Sequence, residues 1–174
     1  MLSNTQPRIG LLPGSRRPEL EANLQLLLRL SDQLPDNNGI SLELALVSSL
    51  DDTGLERCAN GVGWQLRDGL LQRQGSPAVR VRRGAFQTVL QQSDLVISMA
   101  GTAAEQAVGL AKPVLQLPGQ GPQFTASFAE AQRRLLGPTV FCAPGDSGSQ
   151  DNLFASAELA LKLLKRIHHD LDFQ

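Results

Sequence analysis

Short apolar runs rich in β-branched residues recur along this chain, separated by longer stretches in which apolar residues return every three or four positions. A two-residue period alternating with a 3.6-residue period is the pattern of strands joined by crossover helices, and it leaves few other architectures open. The strand-like runs fall at 8–12 (RIGLL), 40–48 (ISLELALVS), 78–82 (AVRVR), 94–98 (DLVIS), 113–117 (PVLQL) and 139–142 (TVFC). Helical patterns occupy 18–34, 52–60, 85–92, 102–111, 123–136 and 151–168. In the first of these Leu20, Leu24, Leu27, Leu28 and Leu30 keep an apolar stripe until Pro35 stops it. The spacing predicts an α/β fold: a doubly wound parallel sheet of about six strands, with helices on both faces and right-handed crossovers.

Three segments add detail to this pattern. Trp64–Arg67 and Leu70–Arg73 flank Asp68-Gly69, a residue pair suited to a type I′ turn, so a small β-hairpin insertion is expected near 64–73. The run Pro144–Gln150 is the most linker-like stretch. After it, Leu153, Ala157, Ala160, Leu161, Leu164 and Ile167 share one stripe of the last helix. Such a stripe packs on the chain's own sheet or docks on another domain or a second copy, which makes a homodimer through 151–168 one expectation.

Composition narrows the function. With 174 residues one domain, 1–174, is expected. Sixteen Lys+Arg against 17 Asp+Glu exclude a nucleic-acid binder driven by bulk positive charge. Six Phe, one Trp and no Tyr make a base-stacking platform a poor fit, so no nucleic-acid partner is expected. Cys58 and Cys142 are far apart and lack metal-ligand spacing, so neither a zinc site nor a disulfide framework is expected. No apolar run is long enough to span a bilayer and the segment MLSNTQPRIG does not read as a signal peptide; a cytoplasmic setting is the expectation.

Ligands of open parallel sheets bind at the carboxyl ends of the strands, near the point where strand order reverses. Two loops leave predicted strands and open predicted helices there. In Leu12-Pro13-Gly14-Ser15-Arg16-Arg17, Gly14 frees consecutive N–H groups while Ser15 and Arg16 add a hydroxyl and a guanidinium, a set that suits an anion. The spacing is neither a Walker A sequence nor G-x-G-x-x-G. In Ser98–Glu105, Gly101, Thr102 and Ala103 bring first-turn N–H groups toward a phosphate, and Glu105 suits a hydroxyl donor such as ribose. Taken singly, each loop also reads as a capped turn: Ser15 as an N-cap, Thr102 and Glu105 as a capping box. A third loop, Pro118–Thr125, carries Gln120 and Gln123, whose amides suit sugar hydroxyls or an ordinary polar turn.

At these loops the sequence resembles the carboxyl-terminal, nucleotide-sugar-binding half of GT-B glycosyltransferases, above all the lipid-A-disaccharide synthase family and its synthase-related relatives. The motifs are LLPGSRRPE at 11–19, SDLVISMAGTAAEQAVGLAKPVLQLPG at 93–119 and GPQFTASFAEAQRRLLG at 121–137. The resemblance implies a Rossmann-like half of a GT-B fold and an inverting, metal-independent transfer from a UDP-GlcNAc-type donor to a lipid-linked acceptor in lipid A biosynthesis. It implies UDP-sugar as substrate with no cofactor. By the same resemblance Gly14, Ser15 and Arg16 face the departing UDP, with Arg16 as leaving-group stabiliser. Gly101, Thr102 and Ala103 donate to the diphosphate, Glu105 holds the ribose, Gln123 faces the donor sugar or its phosphates, and Arg83, Gly84 and Phe86 fall where uracil is read by backbone. Such enzymes place the acceptor site and catalytic base in an amino-terminal half, which is not expected within these 174 residues; the isolated chain is therefore expected to be inactive and to need that domain as partner, at the inner membrane surface. His168 and His169 read as an exposed tail, and no residue reads as the general base. A non-catalytic nucleotide-sugar-binding module and a UDP-GlcNAc 2-epimerase relative are the alternatives.

Overall fold

The structure, a computed structural model, describes residues 7–14, 19–34, 40–99, 113–117, 140–142 and 149–172. The predicted helices 102–111 and 123–136 lie outside the described residues, as does most of the linker at 144–150.

Strand β1 (Arg8–Leu12) leads into α1 (Glu19–Ser31), β2 (Ser41–Leu46) and α2 (Asp52–Asn60). The hairpin strands β3 (Gln65–Arg67) and β4 (Leu70–Gln72) follow, then β5 (Val79–Arg83), α3 (Phe86–Gln92) and β6 (Leu95–Met99). β7 (Val114–Leu117), β8 (Val140–Cys142) and α4 (Gln150–Asp172) complete the described elements. Each predicted strand is present. β2 is shorter than the apolar run 40–48, because Ser48 and Ser49 are exposed in a turn beyond it. α1 stops at Ser31, where the bonds from Gln33 N–H to Leu30 and from Leu34 N–H to Ser31 tighten the exit before Pro35 is reached. α4 continues to Asp172, so His168 and His169 sit in helical backbone rather than in a tail.

The strands form one sheet in the order β3-β4-β5-β2-β1-β6-β7-β8. From β5 to β8 every pairing is parallel. Numbered along the chain, these six parallel strands lie 3-2-1-4-5-6, the order of a doubly wound nucleotide-binding sheet, with direction of growth reversing between β1 and β6. The expected hairpin insertion is present, and it extends the sheet at one edge. β4 pairs antiparallel with β5 through Leu70↔Arg80 and Leu71↔Val79, so the sheet has eight strands. The turn itself matches, with Asp68 at φ 52 and Gly69 at φ 76. Buried Trp64 and Leu71 hold the hairpin to the main core, and the pairing covers an edge that β5 would otherwise expose.

Alternation along the strands divides the core. Ile9, Leu11, Leu42, Leu44, Ile97 and Leu115 join Leu24 and Leu27 of α1 and Leu153, Ala157 and Ala160 of α4 in the larger cluster. Leu12, Ala45, Val96 and Val114 join Val89 and Leu90 of α3 on the opposite face, with Phe86 against them. Helices thus cover both faces. The apolar stripe of α4 packs on its own molecule: Leu153, Ala157, Ala160 and Leu164 are buried, and the helix touches α1, β6 and β7. That packing leaves Phe154, 54% exposed, as the large exposed hydrophobic side chain among the described residues.

Candidate functional site

The reversal of strand order places two chain exits side by side. β1 ends at Leu12 and β6 at Met99, paired through Leu12↔Ser98, so the segments beginning at Pro13 and at residue 100 leave neighbouring strands about 4.8 Å apart. The third loop leaves β7, one strand further on, where Met99 pairs with Leu117. Of the sequence-derived site residues, Ser15, Arg16, Gly101, Thr102, Ala103, Glu105, Gln120 and Gln123 lie outside the described residues. The strand ends from which those segments depart are described, and all three lie on the carboxyl edge.

Gly14 holds φ 95, a left-handed conformation that costs glycine little. Behind it the Asn23 side chain, reaching from the second turn of α1, donates from Nδ2 to the Pro13 carbonyl at 3.0 Å in a buried bond. The sequence reading missed Asn23. Its signal was present: a polar residue set between Leu20 and Leu27 on the apolar stripe. Ser98 and Gln116, both fully buried and opposite each other on β6 and β7, form a second polar feature under the carboxyl edge.

Arg83, Gly84 and Phe86 lie at the carboxyl end of β5, two strands from β1. The Arg83 guanidinium is committed within the protein: Nη1 donates to the carbonyls of Leu50 at 2.5 Å and Val47 at 3.3 Å, and Nη2 meets Asp52 at 2.8 Å. It straps the loop after β2 to the start of α2. Gly84 is at φ 63, with nothing within 4 Å of where a Cβ would stand. Phe86 is half-buried against the α3 core, so its ring is structural.

Charge elsewhere serves the scaffold. Glu43, 5% exposed, pairs with Arg82 at 2.6 Å across β2 and β5, in mid-strand and away from the edge. A hollow bordered by Arg29, Asp32 and Arg73 sits at the last turn of α1, at the opposite end of the sheet from the strand exits. Among the described residues no group of three His, Cys, Asp or Glu side chains could hold a metal ion, and no helix is long and apolar enough to cross a membrane.

An open sheet with this strand order defines a Rossmann-like α/β domain. Solved structures agree on the fold. SpnG, a spinosyn rhamnosyltransferase solved with thymidine diphosphate, is 17% identical over 95% of this chain, with a TM-score of 0.54. ALG13, solved by NMR, is 16% identical over 93% of this chain and 88% of its own, with a TM-score of 0.55. A Listeria monocytogenes protein described as a candidate UDP-N-acetylglucosamine 2-epimerase gives 16% identity, 95% coverage and a TM-score of 0.51. This chain spans 42% of the SpnG chain and 38% of the Listeria protein. No protein-family model and no curated protein sequence matches it.

Proposed function

We propose that this chain is the donor-binding half of an inverting, metal-independent glycosyltransferase that takes a UDP-GlcNAc-type sugar, as the resemblance to lipid-A-disaccharide synthase implies. One observation carries the reading: the strand order reverses between β1 and β6, where Gly14 takes a left-handed φ and the stretch of sequence after β6 holds Gly101–Glu105. A diphosphate at that reversal would take N–H groups from both segments, with Arg16 offsetting the charge that builds on the leaving UDP. From there the end of β5 lies two strands away, roughly 10 Å, a span a nucleotide covers between its 5′ phosphate and the far side of its base. The base would then meet the backbone at Gly84, and Glu105 the ribose. SpnG binds a pyrimidine diphosphate, which supports that class of ligand. The acceptor, a lipid-linked sugar, and the general base would come from an amino-terminal half acting as partner, at a membrane surface. The Listeria protein favours an epimerase relative as the second reading.

Two substitutions test the division of labour. Arg16→Ala should weaken UDP by about tenfold or more while leaving uridine nearly unchanged, because a charge-assisted contact to phosphate is lost. Glu105→Gln should weaken both ligands. The same pattern for both variants in a calorimetric titration would count against the assignment.

A further inference from the structure

Asn23 sits on the apolar side of α1 with 2% of its surface exposed. Its Nδ2 is spent on the Pro13 carbonyl, while its Oδ1, equally buried, accepts no hydrogen bond. An orphaned buried acceptor weakens a fold. A leucine here would continue the stripe and remove the orphaned Oδ1, but it is bulkier than asparagine and would leave the buried Pro13 carbonyl without its donor, so the bond to Pro13 is what the asparagine supplies. Pro13 has a fixed φ, so the junction between β1 and the loop turns mainly on its ψ, which sets the plane of the Pro13–Gly14 peptide. That plane is rigid, and in the trans form its carbonyl and N–H point in opposite directions. With the carbonyl drawn toward Asn23, the Gly14 N–H is turned away from α1, and it donates to no acceptor among the described residues. Gly14 stands at the carboxyl end of β1, beside the exit of β6.

We infer that Asn23 is a positioning residue: it pins the Pro13–Gly14 peptide so that the Gly14 N–H is preset as a donor to a ligand phosphate at the β1–β6 reversal. This rests on the donor-binding reading above. The test compares the wild-type chain with Asn23→Leu, and with Asn23→Asp as an isostere that cannot donate to the carbonyl when ionised, using UDP, pyrophosphate and uridine as probes beside a thermal melt. Asn23→Leu should weaken UDP and pyrophosphate about tenfold and uridine by less than about twofold, a loss of the size of one hydrogen bond. Its melting temperature should change little, since one orphaned buried acceptor, Oδ1, is exchanged for another, the Pro13 carbonyl; Asn23→Asp should show the same ligand split. Unchanged UDP binding in both variants, or equal weakening of uridine and UDP with a lower melting temperature, overturns the role of Asn23. A wild-type chain that binds neither UDP nor pyrophosphate overturns the donor-binding reading, and this inference with it.

Discussion

Cys58 lies buried between α2 and α1, its thiol donating to the Glu21 carbonyl at 3.2 Å. Burial, and then the Glu21 charge, push its pKa from 9.0 up to about 11. Between those values the folded chain keeps a proton that the unfolded chain has released, so stability falls as pH rises through that window. The loss should reach at most about 2–3 kcal/mol, since each unit is worth about 1.4 kcal/mol. With no Tyr in the chain, few other groups titrate there. Cys58→Ala should flatten the stability curve from pH 9 to 11 in urea melts; a variant that loses stability as steeply as the wild type would contradict the assignment. Other single residues show what a sequence can and cannot convey. Gly14 was legible because a glycine directly after a strand-like run has few other uses. The commitment of Arg83 was not, since Val47, Leu50 and Asp52 meet it only when β2 and β5 pair.

The elements themselves were legible because each carries its own period: alternation in the strands, the leucine stripe in α1, the Asp-Gly turn of the hairpin. Asp51 capping α2 through Gly54 N–H at 2.8 Å fits the predicted start at 52. What local signals cannot carry is which edge an element joins. The hairpin was legible from its turn, but nothing between 64 and 73 names β5 as the partner of β4. The turn is now a test of that placement. Gly69 is at φ 76 with open space around its Cα, so Gly69→Ala meets no clash and pays only for the left-handed backbone, about 1–2 kcal/mol. Because the hairpin lies at the far edge of the sheet, UDP affinity should be unchanged. A stability loss below about 0.5 kcal/mol, or a weakened UDP complex, would mean that the turn or its distance from the site is misassigned.

For the whole molecule, the alternation of strand and helix carried the fold class, a parallel sheet with helices on both faces. The order of the strands, with its reversal between β1 and β6, emerges only from their pairing. The fate of α4 was left open by its sequence, because an apolar stripe looks the same whether its partner is the same chain or another; here α1, β6 and β7 cover it. The candidate site was legible as loops at strand ends, and its supporting residues, Asn23, Ser98 and Gln116, were hidden because buried polar side chains declare themselves only through their neighbours. The account as a whole claims that this carboxyl edge binds a pyrimidine diphosphate. Titrating the chain with UDP and with ADP in a calorimeter tests that most directly. The account predicts measurable heat with UDP, saturating in the micromolar to millimolar range, and binding of ADP weaker by about tenfold or more, the contribution of about one base-specific hydrogen bond. No heat with UDP, or equal affinity for the two nucleotides, would contradict it.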